Sequence, residues 1–312
     1  MLLIEKIIKE SKLSRPELTI LSHKAPYMYK VYAIPKRRSG YRIIAHPAKP
    51  LKLIQRLILQ LLEPSVKIHD NVHAYVKGRS IITNATVHKK NKYLLKMDIN
   101  NFFNSIKPEL FWSSLNKQDI MLPKIHQKTI ERLIFWNPSK KKDGKLILSV
   151  GAPTSPFISN IVMFSFDSKL SSVCDKLGIS YSRYADDLTF STKKKNILFN
   201  LPHIVKILLQ EEFSGAMTIN EQKTVFSSKA HNRHVTGITI TNDKQLSIGR
   251  ARKKYIYHLI HQATLGNLDD ERMNHLLGLI SFCRSIDANF LDKIANKYGS
   301  SFVKDLIKRE LK

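Results

Sequence analysis

Hydrophobic residues recur at helical spacing in one early stretch of the chain and alternate with basic residues in the stretch before it. Between residues 51 and 62, apolar side chains separated by polar ones stand at Ile54, Leu57, Ile58 and Leu61. This pattern predicts an amphipathic helix with one face in a core. From 29 to 45, apolar and basic residues alternate around an Arg-Ser-Gly-Tyr sequence at 38–41. That alternation predicts a β-hairpin with a Gly-containing turn and a basic surface able to grip phosphates.

Two further segments predict strands that end in carboxylates. The short apolar run from 93 to 99 is typical of a buried strand, and Asp98 stands where polar residues begin. Residues 179–184 and 188–191 alternate in polarity and predict a second strand pair. Their connection leaves Asp186 and Asp187 at a hairpin tip.

The last sixty or so residues predict a small helical module. Its apolar positions at helical spacing are Ile256, Leu259, Ile260 and Ala263, then Met273, Leu276, Leu277 and Ile280. Gly266-Asn267 predicts a break between two helices. The lysine runs at 140–142 and 193–195 predict loops.

Charge narrows the function classes. The chain has 52 Lys and Arg against 25 Asp and Glu, a net charge of +27, which favours phosphate-rich partners and above all nucleic acid. No apolar run reaches the roughly 18 residues that a membrane span needs, and the N-terminus lacks the apolar stretch of a signal peptide. Cys174 and Cys283 form no metal or disulfide pattern. We therefore expect a cytoplasmic protein without a membrane partner.

The three aspartates suggest phosphoryl transfer. In polymerases a pair of divalent ions about 3.5–4 Å apart neutralises the attacking and leaving oxygens, and hard cations such as Mg²⁺ prefer oxygen ligands. Asp98, Asp186 and Asp187 are candidate ligands, with the backbone carbonyl of Ile99 as a further one. An Asp-Asp dipeptide alone favours an ordinary turn.

Sequence motifs reverse that reading. YADD at 184–187, DINNFF at 98–103 and GAPTSP at 151–156 resemble, in order and spacing, the catalytic and nucleotide-contacting motifs of reverse transcriptases. RIIAHP at 42–47 and AYVKGRSI at 74–81 resemble fingers motifs, and INEQKT at 219–224 resembles the Lys-bearing palm motif. Within this family, NATVH at 84–88 and VTG at 235–237 resemble the NAxxH and VTG elements of bacterial retron enzymes.

The resemblance implies an α+β fold, a right-hand polymerase with fingers, a palm of antiparallel sheet plus helices, and a short helical thumb. We expect fingers at 1–95 with 115–150 contributing, a palm carrying the acids at 96–245, and the thumb at 246–312. No maturase-like or endonuclease sequence follows the thumb segment, which weighs against a group II intron protein.

The resemblance also implies site residues. Asp98, Asp186 and Asp187 are the expected metal-binding catalytic acids, and Lys223 either protonates the leaving pyrophosphate or simply faces phosphate. Nucleotide contacts are expected at Arg42, Lys77, Arg79, Phe103, Gly151 and Pro153. Phe103 resembles the steric gate that crowds a ribose 2′-hydroxyl, with plain core packing as the alternative. Each cation is alternatively a solvated surface charge. Val150 stands where many reverse transcriptases have Gln, so backbone or apolar contact must replace a side-chain hydrogen bond to the incoming nucleotide.

RNA contacts are expected at Asn84, His88, Val235, Thr236, Gly237, Arg250, Arg252, Lys253 and Lys254. The basic thumb cluster predicts sequence-independent contacts with a duplex backbone, and a solvated helix face is the alternative. For Asn84 the alternative is a helix cap, for His88 a buried hydrogen-bonded imidazole, and for VTG an ordinary strand with a bulge at Gly237.

The implied activity is RNA-directed DNA synthesis with a pair of Mg²⁺ ions and deoxynucleoside triphosphates. A cognate non-coding RNA would serve as primer and template, a guanosine 2′-hydroxyl would prime, and RNA-linked single-stranded DNA (msDNA) would be the product. Antiphage defence with a separate effector protein is the implied setting. Two alternatives stay open: another bacterial reverse transcriptase, diversity-generating or untemplated, and a non-catalytic RNA-binding scaffold, although all the acids are present.

Overall fold

The structure, a computed structural model, describes residues 3–36 and 40–310. The α-helices in chain order are α1 (Leu3–Ser11), α2 (Arg15–Lys24), α3 (Lys49–Leu62), α4 (Ile81–His88), α5 (Phe102–Ser105), α6 (Pro108–Asn116), α7 (Lys124–Ile134), α8 (Thr154–Val162), α9 (Phe164–Leu177), α10 (Leu201–Phe213), α11 (Arg250–Thr264), α12 (Asp270–Ile286), α13 (Ala288–Tyr298) and α14 (Ser300–Glu310). The strands are β1 (Tyr29–Pro35), β2 (Tyr41–Pro47), β3 (Tyr93–Asp98), β4 (Ser180–Tyr184), β5 (Asp187–Thr192), β6 (Val225–Ser228), β7 (Arg233–Val235), β8 (Ile238–Ile240) and β9 (Leu246–Ser247).

The central sheet confirms the predicted strands. Its order is β4-β5-β3-β6, and every neighbouring pair is antiparallel. The apolar run that predicted a buried strand became β3, with Leu94, Leu95 and Met97 almost fully buried. A strand that is buried on both faces reads as a continuous apolar run rather than an alternation. Strand β3 therefore has its carboxylate, Asp98, at its end, next to this apolar run.

The N-terminal hairpin is also present. Strands β1 and β2 pair antiparallel from Tyr29↔Pro47 to Pro35↔Tyr41, while Arg38 and Ser39 of the predicted turn lie outside the described residues. The Ala45 N–H donates to the Val150 carbonyl at 2.9 Å. This bond fixes the base of the hairpin against the segment that precedes α8.

Helix α3 follows the hairpin and confirms the amphipathic prediction. Pro50 stands in its first turn, where a missing N–H costs nothing. Ile54 and Ile58 are buried, while Leu57 and Leu61 are partly buried against the same core. One face of the helix thus completes the interior beneath the hairpin.

The hydrophobic interior is divided into separate clusters. The large one extends from Leu3 to Ile219 and includes Ala45 and Leu95 together, so the predicted fingers and palm share one core. A second cluster extends from Ile248 to Leu306, within the predicted helical module. The proposed domain boundaries at 95/96 and 245/246 remain predictions.

The C-terminal part is helical as expected. Helix α11 ends at Thr264 and α12 begins at Asp270, which places Gly266-Asn267 in the break. The Asp269 side chain accepts from the Arg272 N–H at 2.8 Å and caps α12. The lysine runs 140–142 and 193–195 lie in loops, as predicted. Across residues 3–36 and 40–310, no helix combines the length and apolar character that a membrane crossing requires.

Candidate active site

Three aspartates meet at one end of the central sheet. Asp98 ends β3 and Asp187 begins β5, and the two are register partners, so their side chains lie on the same face about 5 Å apart at the Cα atoms. Asp186 stands in the turn before Asp187, and its carbonyl accepts from the Ile99 N–H at 3.1 Å. The predicted convergence of acids from two strands is therefore present in the fold.

The turn that presents Asp186 is conformationally unusual. Tyr184 pairs with Asp187, which leaves Ala185 and Asp186 as a two-residue turn. Ala185 has a φ of 58°, a left-handed conformation that glycine adopts more easily. Such strain persists only where the surroundings hold it. Here the Arg183 guanidinium donates to the Ala185 carbonyl at 3.0 Å.

Arg183 belongs to a buried network that the motifs did not reveal. Its guanidinium is fully buried and pairs with the Asp167 carboxylate at 2.6 Å. Asp167 also accepts from the Tyr181 hydroxyl at 2.7 Å, and Asn160 accepts from Arg183 at 3.2 Å. A sequence signal existed: Asp167 lies on the apolar face of α9, at helical spacing from the buried Leu170 and Cys174. A lone acid on a buried face calls for a cationic partner.

Negative charge accumulates at the catalytic end of the sheet. Asp187 reaches solvent, yet shielding by the surrounding protein, followed by the charges of Asp186 and Asp98, raises its pKa to about 6. Burial and then the charge of Asp98 also raise the pKa of Asp186, while Lys223 and Arg42 oppose that rise. The charged forms of these acids are thus disfavoured until a cation neutralises them.

The donor set fits a hard divalent cation. Within the described residues, no three or more acidic, histidine or cysteine side chains enclose a metal ion by themselves. Mg²⁺ is usually held by one or two carboxylates together with substrate phosphates and water, rather than by a cage of protein ligands. Clustered carboxylates that repel one another, with Asp187 reaching solvent, match that mode of binding. Asp98, Asp186 and Asp187 would hold the ions, with the Ile99 carbonyl beside them.

Lys223 contacts one of the three aspartates directly. Its ammonium lies 2.8 Å from Oδ1 and 3.0 Å from Oδ2 of Asp98. The Lys223 side chain is 59% exposed, whereas that of Asp98 is 11% exposed, so the ammonium closes the carboxylate from the solvent side. The sequence placed Lys223 near the reaction but did not anticipate this ion pair.

A pocket of about 340 Å³ includes Tyr75, which lies close enough to Asp186 for their charges to interact. It is lined by Lys52, Tyr75, Phe103 and residues 149–153, 155 and 156. Phe103 packs partly against the core and stands 6.5 Å, ring centre to ring centre, from Tyr75. A Cβ at Gly151, whose φ is 126°, would come within 3.1 Å of the Ala45 carbonyl oxygen. Glycine is therefore required for the close approach of this loop to β2.

The three cations expected at the nucleotide are placed differently. Arg42 lies close enough to Asp186 for their charges to interact, and Lys77 is exposed. The Arg79 guanidinium instead donates to the carbonyls of Asp70 at 2.5 Å and Val72 at 2.7 Å and pairs with the Asp70 carboxylate at 2.9 Å. These bonds give Arg79 a role in holding the 69–72 segment, and its expected contact with nucleotide phosphate stays a prediction.

Asn84 and His88 are fully buried, which corrects their expected direct contact with RNA. The Ser182 hydroxyl donates to Asn84 Oδ1 at 2.5 Å. His88 contacts Ser182 through Nε2 and Ser191 through Nδ1, each at 2.7 Å. Because Ser182 already donates to Asn84, His88 Nε2 must donate to Ser182 and Nδ1 must accept from Ser191. The buried-imidazole alternative is therefore right, and Asn84 is not the helix cap, because Ser80 caps α4.

The VTG segment is a tight turn. Val235 pairs with Ile238, which leaves Thr236 and Gly237 as a two-residue hairpin turn. Both have positive φ, 46° and 81°, as a type I′ turn requires. Val235 is fully buried, so the strand alternative is right for this residue, and Gly237 lies in a turn rather than a bulge. Asn84 Nδ2 donates to the Thr236 hydroxyl at 3.4 Å, which joins the two retron-like elements.

The basic thumb residues divide into two pairs. Arg252 stacks 5.0 Å from the Phe282 ring centre, and Lys253 pairs with Asp287 at 2.6 Å. Arg250 and Lys254 are exposed. Arg250, Lys253 and Lys254 line one groove with residues 229–232. Arg250 and Lys254 are therefore open to an anionic partner, whereas Arg252 and Lys253 are engaged within the protein.

Comparison with known proteins assigns the family. The family described as reverse transcriptase (RNA-dependent DNA polymerase) matches residues 34–240. Retron Ec83 reverse transcriptase of Escherichia coli is 48% identical over 294 residues, 94% of either chain. Retron Ec73 reverse transcriptase of the same organism is 32% identical over 287 residues, 88% of either chain.

A solved structure supports the fold. Telomerase from Candida albicans aligns with a TM-score of 0.52 at 15% identity, covering 90% of this chain and 63% of that one. This likeness concerns the fold alone and agrees with the right-hand polymerase that the motifs implied. From the family match and the two identities, the chain belongs to the retron reverse transcriptases and is an RNA-directed DNA polymerase.

Proposed function

We propose that this enzyme copies part of a cognate non-coding RNA, which serves as primer and template, into RNA-linked single-stranded DNA. The observation that carries the polymerase chemistry is the register pairing of Asp98 with Asp187 beside Asp186. The retron-specific part is supported by the relatives and by the partly buried hydrogen bond between Asn84 and Thr236. A guanosine 2′-hydroxyl is the proposed priming group.

Mg²⁺ is the proposed metal. Reverse transcriptases use divalent ions, and when bound such ions neutralise the charge that develops on the attacking and leaving oxygens. Asp98, Asp186 and Asp187 would hold them. The raised pKa values of Asp186 and Asp187 support a cation at this place, because mutual repulsion of the carboxylates disfavours their charged forms.

The remaining site residues orient the deoxynucleoside triphosphate. Arg42, near Asp186, and the exposed Lys77 are suited to its phosphates as charged donors. The ring of Phe103 lines the pocket with Gly151 and Pro153, where it would crowd a ribose 2′-hydroxyl. Lys223 is bonded to Asp98, so substrate binding must compete for its ammonium before it can face pyrophosphate.

The biological setting extends the proposal. By resemblance to retron systems, the enzyme works in antiphage defence together with a separate effector protein. The nucleic acid that copurifies with the enzyme identifies the template directly.

The deciding experiment is DNA synthesis on the copurifying RNA, with Mg²⁺ or with EDTA. We expect a discrete DNA joined to RNA through a 2′,5′ linkage in Mg²⁺ and no product in EDTA. A random homopolymer would instead indicate an untemplated enzyme. No synthesis under either condition would favour the alternative of a non-catalytic RNA-binding scaffold.

A further inference from the structure

The end of the central sheet opposite the aspartates carries a dense group of lysines. Strand β3 ends at Asp98 and begins at Tyr93, so the two ends lie roughly 17 Å apart at about 3.4 Å per residue. At the Tyr93 end, one loop precedes β3, a second follows β5 and a third follows β6. These loops are residues 89–92, 193–196 and 229–232, and we call them together the basic end.

The register brings the three loops side by side. Tyr93 pairs with Thr192 on one neighbouring strand and with Ser228 on the other. Since paired Cα atoms lie about 5 Å apart, the loops beginning at Lys193 and Lys229 emerge next to Lys92. The Lys92 N–H donates to the Thr192 carbonyl at 3.1 Å. The grouping is therefore a property of the sheet and not of flexible side chains alone.

Hydrogen bonds fix the first of these loops. Asn91 Nδ2 donates to the Ser191 hydroxyl at 2.8 Å and to the Ser180 hydroxyl at 3.0 Å. The buried guanidinium of Arg233 donates to the Asn91 carbonyl and, at 2.6 Å, to the Thr241 carbonyl. The loop is thus anchored to β4, to β5 and to the small β7-β8-β9 sheet.

The basic end contains no acidic residue. Its sequences KKNK, KKKN and KAHN hold three, three and one lysines, or seven, with His231 in addition. Among the ion pairs of the described residues, none involves these seven lysines. Protein surfaces mix both signs of charge, so an unbroken cationic surface fits a partner with unbroken negative charge. A phosphodiester backbone has that property.

The third loop connects the basic end to a groove. Residues 229–232 form one wall of a cavity of about 870 Å³, and the opposite wall is the α11 face bearing Arg250, Lys253 and Lys254. Helix α11 has Gly249 at its N-cap and no side-chain cap. The N–H groups of its first turn therefore have no capping side chain as acceptor and can donate to a bound anion. Asp287 pairs with Lys253 beside this groove, so the cationic charge of the groove is partly compensated, whereas that of the three loops is not.

We propose that the basic end and this groove form a second RNA-binding surface, which holds the phosphate backbone of the substrate RNA outside the catalytic cleft. Lysines act as point charges and do not read bases, so this surface fixes the path of a folded RNA without selecting its sequence. A polymerase whose template is one structured molecule needs such an anchor, since the copied strand must move through the cleft while the rest stays bound. The inference needs only the RNA substrate of the family.

The chain offers a matched pair of variants for the test. The variant K193Q/K194Q/K195Q removes three charges from the basic end, and K140Q/K141Q/K142Q removes three from another exposed lysine run, in the loop between α7 and α8. Equal thermal unfolding temperatures would show that both fold. Binding of an RNA hairpin of about 20 base pairs, longer than the sheet, is measured by fluorescence anisotropy across a salt series.

We expect the basic-end variant to lower the slope of log K against log salt by about 2 to 3, at roughly 0.7–0.9 per lost phosphate contact. The 140–142 variant should leave the slope unchanged. Equal reduction in both variants would show that only overall charge matters and would overturn the proposal. An unchanged slope in both would also overturn it, as expected if the surface binds an acidic protein.

Acetylation footprinting locates the contact in the unmodified enzyme. The same hairpin should protect Lys90, Lys92, the 193–195 run and Lys229 from an amine-acylating reagent several-fold more than it protects Lys140. Equal reactivity of these lysines with and without RNA would overturn the proposal. DNA synthesis on a short primer–template reports separately on the catalytic centre, so its failure is distinguishable from failure of this surface.

Discussion

The two ends of strand β3 carry opposite charge. At Asp98 the strand meets Asp187 of β5 in register, and the neighbouring Asp186 adds a third carboxylate. At Tyr93 the same strand meets Thr192 and Ser228, each followed directly by lysine. A net charge of +27 thus conceals a negative site inside a positive protein. The proposed metal site and the proposed RNA-binding surface therefore lie at opposite ends of one sheet.

This difference shows how one polyanion can be handled in two ways. Phosphates that react require divalent ions, which in turn require clustered carboxylates. Phosphates that are only held require lysine and arginine without acids. If the carboxylates and the cationic side chains lay together, each group would neutralise the charge of the other. Separation along the strand keeps the seven lysines of the basic end away from the aspartates, whose own cationic neighbours are Lys223, Lys96 and Arg42.

The largest expected effect comes from removing charge at the catalytic end. Asp98→Asn or Asp186→Asn should reduce DNA synthesis about a thousandfold or more, because metal-ion stabilisation amounts to several kcal/mol. Asp187→Asn should also be severe. RNA affinity should change little in all three, since the lysines remain. The measurements are primer extension in Mg²⁺ and RNA binding.

The exposed Asp143, in the loop between α7 and α8, provides the matched control for that comparison. Asp143→Asn makes the same chemical change and should keep normal synthesis. Near-normal extension by the Asp98 or Asp186 variant would remove these residues from the active site.

The next effect concerns the support beneath the catalytic turn. Asp167→Ala leaves the buried guanidinium of Arg183 without its carboxylate, and breaking a buried pair costs about 3–5 kcal/mol. Because Arg183 also holds the Ala185 carbonyl, synthesis should fall along with stability. Urea unfolding and primer extension measure the two losses.

Helix α9 supplies the control for this variant. Asp175 lies on the same helix and is exposed, so Asp175→Ala should change the unfolding free energy by less than about 0.5 kcal/mol. A similarly small change for Asp167→Ala would contradict a supporting role for the buried pair.

Phe103→Ala should affect selection rather than chemistry. The ring lines the pocket beside Gly151, and its removal should raise the kcat/KM ratio of ribonucleotide over deoxynucleotide by about 10-fold to 100-fold. Phe199, an exposed aromatic in a different part of the chain, is the control. An unchanged ratio in a folded Phe103 variant would leave this residue a core side chain.

The smallest expected effect concerns His88, in the region between the two ends of the central sheet. Burial lowers the pKa of His88 from 6.5 to about 3, helped by the charge of His73. The unfolded chain therefore binds the proton more tightly, and the fold loses stability as pH falls from 6.5 toward 3. His88→Gln should reduce the slope of the unfolding free energy against pH by at most about 1.4 kcal/mol per pH unit.

Urea unfolding at successive pH values gives the comparison between the two proteins. At neutral pH the variant should be the less stable one, because the bonds to Ser182 and Ser191 are disturbed. Parallel pH profiles for the two proteins would contradict a neutral buried His88.

The sequence determined much of the catalytic end. Apolar patterning located β3 and the β4–β5 pair, and the motifs placed Asp98, Asp186 and Asp187 at their ends. These features are local: a strand pattern and its terminal residue are adjacent in the chain. The same locality explains why α3 and the break between α11 and α12 were predicted with nearly their observed bounds.

Tertiary structure alone decided which distant side chains meet. The contacts of Lys223 with Asp98 and of Asn84 with Thr236 join residues that lie more than a hundred positions apart, a separation that carries no signal in the sequence. Two lysine runs that look equivalent in sequence, at 140–142 and 193–195, differ because strand register places only the second beside other lysine-rich loops. Electrostatic interactions depend on distance in space, so the pairing of the strands decides which lysines act together.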